Sequence, residues 1–368
     1  DEIELRVSDY HLRLDDNQHD FRSDSLFVST GTNSLGAKKI AITPHKPEDF
    51  FSRTEVNIEC EELNIRNIDL RNLYHTRTLP SSGIEIIRPD VQLNYYLGRK
   101  KAEKQKDAGL LFELVTDYLS GVYTNLVHIE KGKLNIRNFK NQELQGFFET
   151  DFSFSLTDFT LDSASLRRTD KFFYATNFDL DFSDYHMRLV DDLHQLKMDK
   201  IQISSINQQV QIEKLNLEPV SRNVDFSTMK SFNRSELYNI SVPKIKLEGV
   251  DLNTAFFNKK LRINHFQIER PEIYFENFGT LRKTKGKMDF SDFYTLVFNY
   301  LEDFDIKRFS APNGKLTWVN HTRKGKTISF DNAFSASLEN FRLNEDELNK
   351  KRLFFSDDFY VTIQDQQF

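Results

Sequence analysis

The sequence predicts a mainly β protein: an elongated, strongly curved antiparallel sheet, or U-shaped β-groove, built from two repeats of about 180 residues, each with one inserted helix. Three observations predict this class. The chain matches itself along its length, most of it alternates apolar and polar residues, and its composition is unusual. Among 368 residues there are 34 Phe but only 13 Gly and 8 Pro. Long strands with few tight turns account for that scarcity of glycine and proline.

The internal repeat emerges when the chain is aligned with itself. Residues 9–44 match residues 184–219 without a gap, and 11 of the 36 aligned positions are identical. A seven-residue insertion in the second copy then changes the offset from 175 to 182, which holds for over 100 residues. We therefore expect a first repeat at 1–177, a second at 178–358, and the start of a third at 359–368.

Alternation of apolar and polar residues predicts strands with one buried face, and the alternation changes parity part-way along most of them. Ile84 and Ile86, for example, are followed by Val91 and Leu93. Because side chains alternate faces with a period of two, an extra residue is needed to keep both halves on one side. A β-bulge supplies that residue and bends the strand. Many bulged strands side by side predict a curved sheet with an apolar concave face.

Residues suited to such bulges stand at the changes of parity. They are Asn67, Pro89 and Gly132 in the first repeat, and Gly249, Pro271 and Gly314 in the second. Glycine and asparagine tolerate a left-handed backbone, and proline is accepted where a ladder N–H is spared. The alternative interpretation is a series of tight hairpins, with Arg66-Asn67 as a two-residue loop.

One helix is predicted in each repeat, near 107–121 and near 289–303, so that each unit is a meander of about seven strands with one inserted helix. In the first, leucines such as Leu110 and Leu114 recur at helical spacing and form one apolar stripe. The stripe has two interpretations: a lid packed on the sheet, or an amphipathic helix that meets a membrane. A basic loop precedes each helix; it is either solvated or in contact with anionic lipid headgroups.

Composition excludes several classes of function. The net charge of −6 argues against nucleic-acid binding, which needs a strongly basic face. Cys60 is the single cysteine, so a disulfide framework and a Cys-based zinc site are excluded. No run of 18 apolar residues marks a membrane span. A Gly-rich phosphate loop, a serine nucleophile elbow and a His-Glu-x-x-His motif are all missing from the sequence, so no catalytic site is predicted.

Recurring histidines and aspartates raise the question of a metal site. The recurring residues are His11, His19, His186, His194, Asp15-Asp16 and Asp191-Asp192. The histidines within one repeat are eight residues apart with no third ligand at metal-site spacing, and the aspartates lack the twelve-residue calcium loop. Copies about 180 residues apart should not converge on one pocket. We therefore expect these residues to serve the repeat's architecture, with no metal and no cofactor.

Three repeated strings resemble strand pairs of the AsmA-like family. They are Leu63-x-Ile65-x-Asn67-Ile68-x-Leu70, Ile84-x-Ile86-x-Arg88-Pro89-x-Val91-x-Leu93 and Ile129-x-x-Gly132-x-Leu134-x-Ile136. The helix predicted just before the last string is also similar. As a pattern, the resemblance covers nearly the whole chain. The family's repeating β-groove is shared with eukaryotic bridge-like lipid-transfer proteins.

That resemblance implies a long U-shaped sheet whose concave side carries phospholipid acyl chains between membranes while the headgroups stay in water. It places the chain in the periplasm or cell envelope of a Gram-negative bacterium, anchored to a membrane by a segment outside this chain. Envelope proteins would be partners at the ends of the groove, and phospholipids or other amphiphiles its ligands. Nucleic acid is not an expected partner.

The function expected from the sequence is therefore a segment of a non-enzymatic lipid-transfer or lipid-binding groove, with bound phospholipid or fatty acid. The alternative is a closed β-repeat scaffold of a surface protein with no lipid ligand. If the chain forms a lipid-binding groove, its alternating apolar residues line that groove. These residues are Leu5, Val7, Leu12, Leu14, Val56, Ile58, Leu63, Ile65, Ile84, Ile86, Val91, Leu93, Ile129, Leu134, Ile136, Phe152, Phe154, Leu156, Phe178, Leu180, Phe182, Ile240, Ile245, Leu247, Phe266, Ile268, Ile273, Phe275, Leu316, Trp318, Phe334 and Leu338.

Overall fold

The computed structural model shows a mainly β protein whose strands belong to one mixed sheet of 18 strands. It describes residues 2–14, 19–45, 54–97, 119–140, 142–165, 172–189, 193–221, 224–232, 234–279, 302–322, 325–344 and 355–364. The chain divides into two compact units, Asp1–Ser183 and Asp184–Phe368. This division lies six residues beyond the repeat boundary expected at 177/178.

The described residues of the first unit form strands β1 to β9, the beginning of β10, one α-helix and one 3-10 helix. The strands are β1 Glu4–Arg13, β2 His19–Ser29, β3 Ser34–Pro44, β4 Thr54–Arg66, β5 Thr78–Ser81, β6 Gly83–Ile87, β7 Asp90–Leu97, β8 Gly121–Lys140, β9 Glu143–Asp162 and β10 Asn177–Arg188. The α-helix is α1 Leu70–Thr76, and the 3-10 helix is Phe172–Tyr174.

The second unit contains the rest of β10, eight further strands and two described helices. They are β11 His194–Ser204, β12 Gln209–Pro219, α2 Phe226–Ser231, β13 Glu236–Glu248, α3 Leu252–Asn258, β14 Lys260–Glu269, β15 Glu272–Asn277, β16 Asp303–Thr322, β17 Gly325–Leu343 and β18 Asp358–Gln364.

The sheet is mixed, which corrects the prediction of an antiparallel meander. Strands β5, β6 and β7 follow one another along β8 and pair with it in parallel, with Thr78 beside Gly121 and Asp90 beside Lys133. In the second unit β14 and β15 pair in parallel with β16. Parallel neighbours need a crossover of a dozen or more residues, and the chain provides 23 between β7 and β8. Among the described residues, pairs such as β1 with β2, β8 with β9 and β16 with β17 are antiparallel, as predicted.

A row of residues with a left-handed backbone crosses each unit, and we call this row the crease. Its members are Asp9, Lys39, Arg88 and Lys131 in the first unit, and Asp184, Lys214, Arg270 and Asn313 in the second, with φ between 43° and 54°. Each of the two sets occupies matching positions along the repeat. Residues on both sides of the crease keep the same pairing register, as Ser8 with Ser25 and Tyr10 with Ser23 show. A left-handed residue in one strand of a pair therefore changes which alternate side chains point to a given face of the sheet, and no extra residue is inserted.

The prediction that a bulge accompanies each change of parity is thus only partly correct. Register shifts occur in β8 between Ile129 and Gly132, and in β16 between Ala311 and Gly314. The described registers of β1 with β2 and of β2 with β3 run through the crease without a shift. Left-handed residues such as Asp9 and Lys39 serve there instead of inserted residues.

The glycines at the two bulges have a different role from the one predicted. The left-handed residues are Lys131 and Asn313, whereas Gly132 and Gly314 follow them without positive φ. A Cβ atom on Gly132 would lie 2.5 Å from the Phe152 ring, which covers this glycine from the neighbouring strand. In the second unit the Phe334 ring covers Gly314 in the same way. Asn67 and Gly249, in contrast, are left-handed as expected, with φ of 51° and 63°.

The strand β4 does not continue through Ile68 and Leu70 as predicted, because Leu70 begins α1. The Asp69 carboxylate accepts a hydrogen bond of 2.9 Å from the Asn72 N–H and caps the helix, and the left-handed Arg77 ends it. The hairpin alternative, with Arg66-Asn67 as its loop, is wrong for the same reason. Asp251 caps α3 in the same way.

The two helices predicted from apolar spacing lie almost entirely outside the described residues. Only 119–121 of the first and 302–303 of the second are described, and there Gly121 begins β8 and Asp303 begins β16. The basic loops before them also lie outside the described residues.

Buried cores lie where helices pack on the ends of strands. In the first unit Ile65, Ile68, Leu79, Val122 and Leu161 form one such cluster beside α1. In the second unit, Val250, Ile263 and Ile306 are buried beside α3, and Leu193, Met229, Leu237 and Phe278 are buried near α2. The strand segments between these ends carry the surface considered next.

Candidate functional site

Apolar side chains of the first unit are aligned in rows across its strands. Leu63 of β4 pairs with Ile86 of β6, Ile86 with Ile129 of β8, and Ile129 with Phe154 of β9. Cross-strand partners project from the same side of a sheet, so each row is a continuous apolar strip. Beyond the crease a further row consists of Ile42, Ile58, Val91 and Leu134. We call the surface that these rows form the apolar face.

The second unit has an apolar face of its own, with more aromatic residues. Leu247 pairs with Phe266, Phe266 with Phe309, and Phe309 with Leu338. The Phe266 and Phe309 rings meet edge to face at 5.4 Å. Further along the strands Tyr238, Phe275 and Trp318 make another row, with ring centroids 5.2 and 4.8 Å apart.

Most side chains of the apolar face are half-buried, in contrast to the cores at the strand ends. Ile86, Ile129, Leu134 and Phe154 all belong to the half-buried class. A sheet face packed against a second layer has residues almost without exposure, as in the cores described above. Within the described residues, these segments of the face therefore have no tightly packed second layer.

The predicted lining residues all lie in described parts of the chain, and all but Leu14 lie on strands. Ile65, Leu156, Phe178 and Ile245 are buried. Leu5, Val7, Leu12 and Trp318 are exposed, and the others are half-buried. Sequence reasoning omitted the strands β2, β3, β11 and β12 from the lining. The same alternation was present there, and residues such as Leu26, Ile40 and Ile212 complete the rows.

The opposite face of the sheet is charged. Lys39 Nζ lies 2.9 Å from Asp24 Oδ2, Arg66 Nη2 lies 2.8 Å from Glu85 Oε2, and Arg88 is paired with Glu61. Hydrogen bonding with Asp24 raises the pKa of Lys39, so this ammonium stays charged at neutral pH. Lys214 and Asp199 form the corresponding pair in the second unit, so each unit is amphipathic, with charge on one side and hydrocarbon on the other.

Cys60 lies within the apolar face, and its environment suppresses thiol reactivity. The Sγ atom lies 3.3 and 3.4 Å from the carbonyl oxygens of Glu62 and Ile87, and its single S–H can donate to either of them. Burial raises the pKa of the Cys60 thiol, so it is protonated at neutral pH. Because the thiolate is the nucleophile, the thiol serves as a small apolar group.

Histidines of both units contact polar groups, among them the recurring His11 and His194 and the non-recurring His45. His45 Nδ1 donates to Asp20 Oδ2 at 2.9 Å, with His11 at 3.8 Å and Arg13 at 3.9 Å from the same carboxylate. The hydrogen bond from His45 lowers the pKa of Asp20. In the second unit His194 Nε2 accepts a 3.1 Å hydrogen bond from a backbone N–H.

No cluster of three or more metal-ligating side chains occurs in the part of the chain that the structure describes. The aspartate pairs Asp15-Asp16 and Asp191-Asp192 lie outside it. Of the helices among the described residues, none is long and apolar enough to span a membrane.

Comparison with known proteins gives no family. No known family and no curated protein matches the chain. Among solved structures, the crystal structure of a sex pheromone staph-cAM373 precursor aligns with 84% of this chain and 75% of its own. The identity is 9% and the TM-score is 0.11, which is too low to carry any argument.

Proposed function

We propose that this chain is a length of a non-enzymatic groove that holds or transfers the acyl chains of phospholipids or fatty acids. The observation that carries the proposal is the apolar face: continuous rows of half-buried aliphatic and aromatic side chains on one side of a sheet whose other side is charged. Curvature of each repeat around this face, as in the AsmA-like proteins that the sequence resembles, is part of the proposal.

Energetics favour a hydrocarbon ligand. Each methylene transferred from water to an apolar surface contributes about 0.8 kcal/mol, so ten buried methylenes contribute about 8 kcal/mol before the cost of ordering the chain. A large exposed apolar surface would otherwise promote aggregation. An amphiphile that covers it and keeps its headgroup in water removes that hazard.

Dimensions of the face fit acyl chains. From Val56 to Ile65, the apolar positions of β4 extend over nine residues, which is about 30 Å at roughly 3.3 Å per residue. That distance equals about the thickness of the hydrocarbon core of a bilayer. One extended acyl chain of a phospholipid is about half as long and fits beside β4 with room to spare.

The proposal includes the setting that the resemblance implies. The groove would act in the periplasm or cell envelope of a Gram-negative bacterium, anchored by a segment outside this chain, with envelope proteins at its ends. Phospholipids or related amphiphiles would be its ligands, and neither a metal nor a catalytic residue takes part.

The test is lipid retention by purified protein, with two variants that differ only in the face they alter. Phe154→Asp places a carboxylate on the apolar face, and Ser155→Asp places one on the opposite face of the same strand. We expect organic extraction and mass spectrometry to find phospholipid or fatty acid in wild type and Ser155→Asp, and at least fivefold less in Phe154→Asp. Circular dichroism checks that both variants fold.

A folded wild-type protein that carries no extractable amphiphile and binds no fluorescent fatty acid contradicts the proposal. That result favours the closed β-repeat scaffold. Equal loss of lipid in the two variants would also count against the apolar face as the binding surface. Phe154→Leu, which keeps the face apolar, should retain the lipid.

A further inference from the structure

An aromatic row in the second unit takes the place of an aliphatic row in the first. The aromatic row consists of Tyr238, Phe275 and Trp318, which are cross-strand partners on β13, β15 and β16. The matching positions of the first unit, which are also cross-strand partners, are Val56, Leu93 and Ile136. The two units therefore carry different chemistry at the same point of the same face.

The three rings of the aromatic row are tilted against one another and remain accessible. The planes of Tyr238 and Phe275 meet at 55°, and those of Phe275 and Trp318 at 70°. Trp318 is 41% exposed, and the other two rings are half-buried. A cation within about 6 Å of a ring centroid is attracted by the negative face of the ring. A cation beside Phe275 can therefore contact more than one ring.

A carboxylate stands beside the aromatic row on the same face. Tyr238 Oη donates a 2.7 Å hydrogen bond to Glu236 Oε2. Glu236 is the cross-strand partner of Asn277, so Phe275 is its diagonal neighbour, at about 7 to 8 Å. Burial and the hydrogen bond to Glu236 raise the pKa of Tyr238, so its phenol is protonated at neutral pH and remains a donor. The matching position in the first unit is Thr54, which has no charge.

The other side of the sheet behind the aromatic row is packed. Leu237, between Glu236 and Tyr238, points to that side and is buried with Phe278 and with Met229 of α2. The Phe226 ring of α2 meets the Phe278 ring edge to face at 5.5 Å. The aromatic row thus has a firm support, and its rings need little reorganisation to hold a ligand.

Arg234 adds a positive charge just before β13. Its side chain is exposed, and its charge opposes the rise in the pKa of Tyr238, so the guanidinium is within electrostatic reach of the aromatic row. A carboxylate and a guanidinium at one end of an aromatic row are complementary to a zwitterion. The ammonium group of the zwitterion is attracted by the rings and the carboxylate, and its phosphate by the guanidinium.

We propose that the second unit selects phospholipids whose headgroup carries an alkylammonium group, such as choline and ethanolamine lipids. The ammonium group lies against the Phe275 ring, within reach of the other rings of the aromatic row, and Glu236 balances its charge. The acyl chains of the same lipid lie on the apolar face, so the selection rests on the proposed function. The first unit, with its aliphatic row and Thr54, holds acyl chains without regard to the headgroup.

The experiment compares three phospholipids that bind the full-length chain with the same short acyl chains but different headgroups: choline, ethanolamine and glycerol. Each is kept below its micelle concentration. Trp318 is the only tryptophan, so its fluorescence reports binding at the aromatic row. We expect the two ammonium lipids to bind about tenfold more tightly than the glycerol lipid. Free phosphocholine should bind much more weakly than the choline lipid, because it has no acyl chains to bury.

Two variants with the same change of charge separate the site from general electrostatics. Glu236→Gln removes the carboxylate beside the aromatic row, and Glu272→Gln removes an exposed one from the opposite face of β15. Calorimetry should show that Glu236→Gln loses most of the preference for ammonium lipids, whereas Glu272→Gln keeps it. Trp318→Leu, which leaves the face apolar, should also lose most of the preference.

The possible failures have different meanings. Equal affinities for the three lipids, or an unchanged preference in Glu236→Gln, would overturn the selection of the headgroup and leave the acyl-chain groove standing. Phosphocholine that binds as tightly as the choline lipid would overturn a lipid as the source of the ammonium group. Failure of all three lipids to bind would contradict both the selection and the proposed function.

Discussion

The two units use different side chains at the same place in the same architecture. Beside α3, Ile263 pairs with Ile306, and the two are 2% and 4% exposed. Beside α1, the corresponding pair is Ser81 and Thr124. Thr124 Oγ1 donates to the Leu126 carbonyl oxygen at 3.2 Å, while the buried Ser81 Oγ makes no hydrogen bond within the described residues.

This difference separates what builds the fold from what stabilises it. Both units keep the left-handed residues of the crease, the parallel strand pair and the capped helix. They do not keep the composition of the buried pair beside that helix. Backbone geometry is therefore the common property of the two units, and the buried side chains adjust the stability of each one.

The largest loss of stability is expected when the serine of the first unit replaces its counterpart, Ile263, in the second unit. Ile263→Ser removes a buried aliphatic side chain and leaves a hydroxyl in an apolar cluster, which should cost about 4 kcal/mol of unfolding free energy. Trp318 is the only tryptophan and lies in the second unit, so its fluorescence during urea unfolding reports this loss.

The control is the same change on the apolar face. Ile273 is half-buried, and Ile273→Ser should cost about 1 to 2 kcal/mol, since less area is lost from a partly exposed side chain. Equal losses at Ile263 and Ile273 would mean that the face is as tightly packed as the core. That outcome would count against a surface open to ligand.

A smaller effect is expected at the glycines that both units keep. Gly132→Ala places a Cβ atom 2.5 Å from the Phe152 ring, and the strain should cost about 2 kcal/mol. Gly83→Ala is the matched control in the same unit, because the nearest atom to its Cβ would be 3.8 Å away. Urea midpoints compare the two. Phe152→Leu should relieve most of the strain in Gly132→Ala, and an absence of relief would show that another contact opposes the methyl group.

Period-two alternation was enough to predict strands, their changes of facing and the apolar face, because burial of one face imposes that pattern on any sheet. The alternation could not show whether neighbouring strands are parallel or antiparallel. Val91 pairs with Ile58 of an antiparallel neighbour and with Leu134 of a parallel one, and the apolar–polar alternation is the same in both cases. It also could not show how the facing changes. A left-handed Arg88 or Lys131 is not a residue that propensity singles out, because glycine or asparagine is usual there.

The helices show the same limit at short range. Asp69, which caps α1, is the sequence signal for this helix. The prediction made no use of it, because Leu63, Ile65, Ile68 and Leu70 have a strand-like spacing. A helix of seven residues has too few turns to show an apolar stripe of its own. Packing of Leu70 and Leu73 against the buried cluster stabilises it instead.

A moderate gain is expected when the first unit receives the apolar pair of the second. Ser81→Val combined with Thr124→Ile removes a buried hydroxyl that makes no hydrogen bond and adds apolar area, which should stabilise the first unit by about 1 to 2 kcal/mol. Hydrogen exchange of β5 and β8 amides measures the effect. Faster exchange in the double variant would mean that the site has no room for the added methyl groups.

The smallest expected effect concerns pH, and it too contrasts the units. Asp20 of the first unit accepts a hydrogen bond from His45, whereas its counterpart in the second unit is Gln195, which does not titrate. The hydrogen bond from His45 lowers the pKa of Asp20, so its carboxylate stabilises the fold above the ordinary unfolded value of about 3.9. This stabilisation is lost as pH falls from that value through the lowered one. Asp20→Gln should therefore melt below wild type at pH 6, and the difference should shrink by pH 3. A difference in melting temperature that is constant with pH would show that the charge of Asp20, beside His11, Arg13 and His45, contributes nothing to stability.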